Sequence, residues 1–275
     1  MNIVEILKAI ILGIVEGITE WLPISSTGHM ILVDEFLQLD TSAEFKEMFM
    51  VVIQLGAIFA VLALFWNKIF PFRFKKGEKF IRKDTMIMWC KIIIATIPAA
   101  IVGVLFDDKI NALFYRYTVV AIALIVYGGL FILIENRNYG KNCQFNTINE
   151  LTFKAAFMIG IFQLLAAVIP GTSRSGATIL GGILIGTSRV AATEFTFYLA
   201  IPTMFGASFL KILKFGFDFT RSELIILFTG MIVAYIVSVF VIKFLLGYIK
   251  KHDFKVFGWY RIVLGTLVLL YFTFR

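Results

Sequence analysis

The chain has 275 residues, of which 60% are hydrophobic and only 16% are charged, with a mean hydropathy of +0.90. This composition excludes a soluble domain and predicts a helical protein that crosses a membrane several times. The net charge of +8 lies mostly in two loops, which indicates orientation in a membrane, so we expect no nucleic acid partner.

Near the start of the chain a nearly uncharged apolar run is followed by two carboxylates, Glu16 and Glu20, and then by Pro23. Each apolar piece is too short for a span, which needs about 20 apolar residues. We therefore expect a re-entrant helix–loop–helix with its loop at 23–28, near the bilayer midplane and buried in protein. The second helix is expected from His29 onward.

Six spans follow from the remaining apolar runs. We expect them at about 45–66, 86–106, 118–134, 191–211, 224–246 and 257–274, with a short outer loop at 107–109. A second broken helix is expected at 153–185, between the third span and the fourth.

The basic residues orient these spans. The segment 67–91 holds eight Lys or Arg against two acidic residues, and 247–256 holds three Lys against one Asp. Both are expected in the cytoplasm, together with the linker 135–152. Both termini are then extracytoplasmic.

The first broken helix repeats at a constant offset of 147, with Pro23 on Pro170 and Thr27 on Arg174. Three spans, an odd number, separate the two copies, so the repeats have opposite topology. We predict an all-α membrane protein with one domain, 1–275. It contains two inverted repeats, about 1–135 and 153–275, joined by the cytoplasmic linker. Each repeat is a re-entrant helix–loop–helix followed by three transmembrane helices.

The two carboxylates of the first repeat lie four residues apart, on one face of a helix. Glu16 and Glu20 would repel each other unless they share a cation or a proton. A divalent cation such as Mg²⁺ or Ca²⁺ suits carboxylate and phosphate oxygens. A shared proton and a proton relay are the alternatives.

Pro23 and Pro170 are each followed by a loop rich in hydroxyls, which suits a phosphate at the start of a helix. An ordinary Ser or Thr helix cap is the simpler explanation for either loop alone. The candidates for substrate binding are Ser25, Thr27, Gly28, Thr172, Ser173 and Ser175.

Three further side chains point to chemistry on an anion. Arg174 is the only Arg or Lys in a long apolar region. Its guanidinium could bind a phosphate through two N–H donors, or it could pair with Glu16 or Glu20. His29 follows Ser26 by three residues, close enough to activate or orient it. Either could be the nucleophile, and a structural role is the alternative for the histidine.

These residues resemble two signatures of the undecaprenyl-pyrophosphate phosphatases of the bacitracin-resistance family. They are Glu16–His29 and Pro170–Ile179, and the similarity extends to Glu194-Phe195-Thr196-Phe197 and runs the full length. The resemblance implies a phosphatase of the bacterial cell membrane that converts C55-isoprenyl pyrophosphate to the monophosphate and orthophosphate. It would recycle the lipid carrier of cell-wall synthesis and would need a divalent cation.

The resemblance also implies which residues act. By position they are Glu16, Glu20, Ser26, His29 and Arg174, with Thr27 and Ser173 beside the phosphates. It leaves the nucleophile open between Ser26 and His29, and the site is expected to open to the extracytoplasmic side. The partners are a prenyl pyrophosphate and membrane lipid, and a homodimer is one of the arrangements that the sequence allows.

The rival interpretation is a transporter or lipid flippase built from the same inverted repeats. It would use Glu16 and Glu20 as a proton relay and Arg174 to hold an anion. A structural scaffold would not explain polar loops at the midplane.

Overall fold

The computed structural model describes residues 3–74, 80–114, 116–138, 140 and 142–274. Within these ranges the chain is helical and its only β pairings are isolated bridges. The helices are α1 (Ile3–Thr19), α2 (Ser26–Phe36), α3 (Ala43–Val52), α4 (Gln54–Ile69), α5 (Lys83–Phe114), α6 (Tyr117–Asn138), α7 (Phe153–Val168), α8 (Arg174–Leu184), α9 (Arg189–Phe215), α10 (Arg221–Ile249) and α11 (Lys255–Thr273). A 3-10 turn, Ile148–Glu150, lies in the linker.

The predicted set of six spans is confirmed for the described residues. Six helical stretches are long and apolar enough to cross a membrane, at Ala43–Ile69, Lys83–Phe106, Tyr117–Asn138, Arg189–Phe215, Arg221–Ile249 and Lys255–Thr273. The first consists of α3 and α4, which meet at Ile53, where the helix is locally interrupted.

The prediction of a loop at 107–109 is wrong, because α5 continues to Phe114, whereas the side of the membrane on which the segment lies stays a prediction. The segment has neither glycine nor proline, so nothing in its backbone chemistry ends the helix there. In the basic loop, Phe72 pairs with Ile81, whereas Lys75, Lys76 and Lys79 lie outside the described residues.

Both broken helices form where they were expected. At a rise of about 1.5 Å per residue, the 17 residues of α1 and the 16 of α7 fall short of a hydrocarbon core of about 30 Å. Their partners α2 and α8 have 11 residues each. Trp21 and Ser25 in the loop between α1 and α2, and Thr172 in the loop between α7 and α8, are buried.

The helices cross closely at glycines. A Cβ atom on Gly128 of α6 would lie 2.7 Å from the carbonyl oxygen of Gly258 on α11, and the reverse contact is also 2.7 Å. Gly13 of α1 meets α10 in the same way, and Gly160 of α7 meets Ala95 of α5. Each broken helix thus packs on the second span of the opposite half of the chain, which brings the two loops together.

An ion pair with a buried carboxylate ties the linker end of α6 to later helices. Glu135 is 1% exposed, and its carboxylate accepts hydrogen bonds from Arg189 at the start of α9. It also accepts from the backbone N–H of Phe254, just before α11. These bonds join α6, α9 and the start of α11 and involve neither loop, so we assign the pair a structural role.

Candidate active site

Two short loops form the centre of the site. The first loop, 20–25, joins α1 to α2, and the second loop, 169–173, joins α7 to α8. Each ends in a serine that caps the next helix. The Ser25 Oγ accepts from the Gly28 N–H at 3.3 Å, and the Ser173 Oγ accepts from the Gly176 N–H at 3.1 Å. The alternative of an ordinary serine cap is therefore realised in both loops.

Both caps have the same unusual backbone. Ser25 has a φ of 75° and Ser173 a φ of 72°, the only positive values at described residues other than glycine. This left-handed conformation is unfavourable for a residue with a Cβ atom. Strain of this kind persists only where the surroundings hold the backbone in place.

The matching caps correct the predicted alignment of the repeats. Ser25 corresponds to Ser173, so the offset is 148 here, and Arg174 corresponds to Ser26 rather than to Thr27. The shift arises from Gly171, an additional residue between the proline and the cap. Gly171 has a φ of 90°, and a Cβ atom there would lie 2.5 Å from the Val120 carbonyl oxygen. Likewise, α2 begins at Ser26 and not at the predicted His29.

A cavity of about 560 Å³ lies against both loops. Six of the predicted site residues line it, namely Glu20, Ser26, Thr27, Ser173, Arg174 and Ser175. The other five, Glu16, Ser25, Gly28, His29 and Thr172, are not among its lining residues. The structure thus brings the two predicted motifs together around one space.

Glu20 is the junction of the two halves. Its Oε1 accepts a hydrogen bond of 2.9 Å from Arg174 Nη2, and its Oε2 accepts one of 2.7 Å from the Ser26 hydroxyl. Arg174 also donates to the Thr196 carbonyl at 3.1 Å. The pair is largely removed from solvent, with the Arg174 side chain 12% exposed and the Glu20 side chain 5%. The predicted ion pair is therefore present, and a charged carboxylate orients the serine hydroxyl.

Glu16 differs from Glu20 in its surroundings. It is wholly buried, and neither carboxylate oxygen has a hydrogen-bond partner among the described residues. Its carbonyl accepts from the Glu20 N–H at 3.0 Å, so the two carboxylates belong to successive turns. An unpartnered buried carboxylate requires a proton or a cation.

The donor set limits how a metal could bind. In the described part of the chain no group of three or more His, Cys, Asp and Glu side chains is arranged to hold an ion. Glu16 and Glu20 fit a hard divalent cation if phosphate oxygens and water complete its shell, which is how Mg²⁺ is often held. The unpartnered Glu16 oxygens are the structural observation in favour of that fit.

Ser175 and Thr172, which were predicted to bind substrate, form hydrogen bonds to other parts of the fold. The Ser175 hydroxyl donates to the Glu20 carbonyl at 3.1 Å and lies 3.2 Å from the Ser173 hydroxyl. Thr172 is fully buried, and its carbonyl faces Arg261. The Ser175 bond fastens α8 to the end of α1, and the Thr172 bond ties the second loop to α11.

The His29 ring bonds to groups other than the Ser26 hydroxyl, which itself bonds to Glu20. Its Nδ1 bonds to the Ser25 carbonyl at 2.8 Å, and its Nε2 to the Tyr260 hydroxyl at 2.7 Å. Because a carbonyl only accepts, Nδ1 carries the proton, and in the neutral ring Nε2 accepts from the tyrosine. The two rings also stack, with their centroids 5.6 Å apart. Both ring nitrogens are therefore occupied.

Sequence analysis missed the contribution of α11. Tyr260 binds His29, and the neighbouring Arg261 is completely buried against both loops. A signal was available, because Arg261 is a lone charge inside an apolar span, the criterion that identified Arg174. The sequence did not single out the further polar residues that line the cavity, namely Gln54, Thr96, Thr203, Lys211 and Lys214.

Comparison with known proteins places this site in a family. The family described as bacitracin resistance protein BacA matches residues 9–267. A protein named undecaprenyl-diphosphatase from Desulfitobacterium hafniense is 65% identical over 275 residues, covering 100% of this chain and 99% of the relative. Proteins of the same name from Enterococcus faecalis and Acetivibrio thermocellus are 65% and 66% identical, and each alignment covers 98% of both chains. The chain therefore belongs to the bacitracin resistance protein BacA family.

Proposed function

We propose that this protein is a membrane phosphatase that hydrolyses undecaprenyl pyrophosphate to undecaprenyl phosphate and orthophosphate. The reaction would recycle the lipid carrier of cell-wall synthesis. The observation that carries the proposal is the contact of Arg174, Glu20 and Ser26 at one cavity, made by motifs from opposite halves of the chain. Relatives that match almost the whole chain carry the name of this activity.

The geometry favours Ser26 as the nucleophile, with Glu20 as its base. The Ser26 oxygen would attack the terminal phosphorus while Glu20 takes the hydroxyl proton. The P–O bond to the inner phosphate would break, and undecaprenyl phosphate would leave. Water would then hydrolyse the phosphoserine, restoring the hydroxyl and releasing orthophosphate. His29 and direct attack by water are the alternatives.

Arg174 would exchange partners when substrate arrives. In the structure the Arg174 guanidinium forms an ion pair with Glu20. A pyrophosphate in the cavity would offer it two oxygens in a bidentate geometry instead. Moving the guanidinium to the phosphate would free the Glu20 oxygen Oε1. Charge stabilisation of this kind supplies most of the catalysis in phosphoryl transfer.

The second part of the proposal is a divalent cation, Mg²⁺ or Ca²⁺, on Glu16 and Glu20. The orphaned oxygens of Glu16 support it. When bound, the ion would neutralise charge on the pyrophosphate. The residues of the chain would still hold the substrate through Arg174 and the loops, with Thr27 and Ser173 beside the phosphates.

The third part concerns topology. We infer two inverted repeats in one membrane domain, 1–275, because three spans separate the broken helices. The exchanged packing of α1 on α10 and α7 on α5 also supports a two-fold relation. The basic loops support a topology with both termini outside the cytoplasm and the linker inside.

The cavity would then open to the extracytoplasmic side of the cell membrane. Its lining includes Lys211 and Lys214 near the end of α9, which this topology places outside. The partners are the prenyl pyrophosphate and membrane lipid. Every residue assigned to the site lies in one protomer, so a homodimer is allowed but is not needed for the chemistry.

The test is phosphate release by the purified protein in detergent with undecaprenyl pyrophosphate. Release by the wild type and its loss in Ser26→Ala and Arg174→Ala would support a phosphatase. Lipid translocation in vesicles without phosphate release would support the transporter instead.

A further inference from the structure

A side chain of α11 contacts both loops at once. Arg261 of α11 is 0% exposed. Its Nη1 donates to the Pro23 carbonyl at 3.2 Å, and its Nη2 donates to the carbonyls of Gly171 at 2.9 Å and Thr172 at 2.8 Å. Arg261 therefore bridges residues that are about 150 positions apart in the chain and that lead directly into the two serine caps.

The hydrogen-bond partners of this guanidinium in the described part of the chain are carbonyl oxygens rather than carboxylates, and the guanidinium also lies 5.8 Å from the Tyr127 ring centroid. A buried charge without a counter-ion is unfavourable, and an apolar side chain would fill the same space without that penalty. It would, however, leave three buried carbonyls unpaired. The fold also makes room for the charge, because Gly176 has no Cβ atom, and one there would lie 3.2 Å from Nη1.

The bonds to Arg261 fix which way the second loop faces. In a trans peptide the N–H points opposite to the C=O. Because the Thr172 carbonyl points to Arg261, the N–H of Ser173 points away from it, and Ser173 lines the cavity. In the first loop, Arg261 holds Pro23, two residues before the cap Ser25.

We propose that Arg261 is a positioning residue, which holds the two loops in register so that Ser26 and Arg174 face the same phosphate. The proposal rests on the phosphatase function proposed above. The planar fork is needed because its donors reach both loops, and a lysine ammonium is a single centre. Ser25 and Ser173 have strained backbones with positive φ, and the bonds from Arg261 to the two loops would maintain these conformations.

Arg261→Lys and Arg261→Gln test the proposal, with Arg189→Lys as the matched control. Arg189 is also an arginine paired with a buried carboxylate, but its partner Glu135 belongs to neither loop. We expect Arg261→Lys to lower kcat per folded molecule by about 100-fold, the scale for misplaced catalytic groups, while Arg189→Lys keeps the wild-type kcat. If Arg261→Gln does not fold, Arg261→Lys carries the test.

Hydrogen exchange gives a readout that does not depend on activity. Arg261→Lys should speed amide exchange in peptides covering 23–28 and 171–176, and leave the core of α9 unchanged. Wild-type kcat in Arg261→Lys, or a loss no greater than that of Arg189→Lys, would overturn the proposal. If the wild type releases no phosphate, the proposed function fails, and hydrogen exchange alone then tests whether Arg261 holds the two loops. Faster exchange confined to both loops would support it, and uniform or unchanged exchange would refute it.

Discussion

Glu20 and Arg174 are separated by 154 positions in the chain and joined by a hydrogen bond of 2.9 Å beside the cavity. The same carboxylate also accepts the hydroxyl of Ser26 at 2.7 Å. A single buried carboxylate thus connects the proposed nucleophile to the proposed phosphate ligand. Changes at any of the three residues should therefore affect the same chemical step.

Arg174→Lys and Arg174→Ala should separate binding of phosphate from neutralisation of Glu20. Lysine keeps the charge but loses the fork, so we expect a strong defect in Arg174→Lys and a larger one in Arg174→Ala. Truncation should cost on the order of 2–5 kcal/mol in transition-state binding, because the charge of the substrate is left unpaired. Initial rates and thermal stability in the same detergent measure both effects.

The opposite pattern would make Arg174 structural. In that case Arg174→Lys would turn over near the wild-type rate, and Arg174→Ala would unfold at a lower temperature before its catalysis could be compared. Lys68→Ala serves as a control, since Lys68 pairs with Glu194 at 2.9 Å with its side chain 59% exposed. A surface pair of this kind contributes about 0–1 kcal/mol.

Glu16→Gln and Glu20→Gln should each nearly abolish turnover while the protein stays folded. Glu16→Gln removes a buried carboxylate without a described partner, so its melting temperature should equal or exceed that of the wild type. If the two carboxylates hold a divalent cation, Mg²⁺ should stabilise the wild type by about 2.7 kcal/mol at 100 times its Kd. Neither variant should respond to Mg²⁺, and EDTA should mimic their loss of activity.

Glu5→Gln is the control for that experiment. Glu5 lies on the same helix and pairs with Lys8 at 2.7 Å, and it has no place in the site. It should keep both its turnover and its response to Mg²⁺. Wild-type rates in Glu16→Gln, or thermal stabilisation of that variant by Mg²⁺, would show that the metal assignment is wrong.

The nucleophile is tested by trapping the covalent intermediate. Ser26→Ala should lose more than about 1000-fold in kcat, and His29→Ala should also be severely impaired, with effects that do not add in the double variant. After an acid quench, label from the terminal phosphate should remain on Ser26, because phosphoserine survives acid whereas phosphohistidine does not. A label that is stable to base and lost in acid would point to His29 instead. No covalent label at all would favour direct attack by water.

Topology is tested by labelling in cells. The two cysteines of the natural chain, Cys90 and Cys143, are exposed and must first be changed to Ser. In that background Asn2→Cys should react with a reagent that cannot cross the membrane. Lys250→Cys, in the second basic loop, should react only after the cells are opened. The reverse labelling pattern would show that the termini lie in the cytoplasm and the second basic loop outside.

The broad architecture could be predicted because it follows from the physical constraints of the lipid bilayer. The lengths of apolar runs indicate spans, and a proline after two carboxylates indicates a break. The ion pair of Arg174 with Glu20 was predictable for the same reason, since an arginine at membrane depth needs an anionic partner. The family resemblance in the two motifs agrees with the family that the full chain matches.

The details depend on backbone geometry that composition does not reveal. The offset of 148 at the caps depends on Gly171, whose φ of 90° absorbs one additional residue. The predicted proximity of His29 to Ser26 rested on spacing alone. The His29 ring pairs instead with Tyr260, which lies 231 positions later in the chain. This contact could be identified only after the fold was known. The extension of α5 through 107–109 shows that acidic residues alone do not end a helix.

The most direct test of the central claim is a double-mutant cycle on phosphate release from undecaprenyl pyrophosphate. It compares the wild type, Ser26→Ala, Arg174→Ala and the double variant. If both residues act on one phosphate through Glu20, the double variant should be about as slow as the slower single variant, because residues that act as a unit are not additive. Losses that multiply fully, or a wild type that releases no phosphate, would contradict the account.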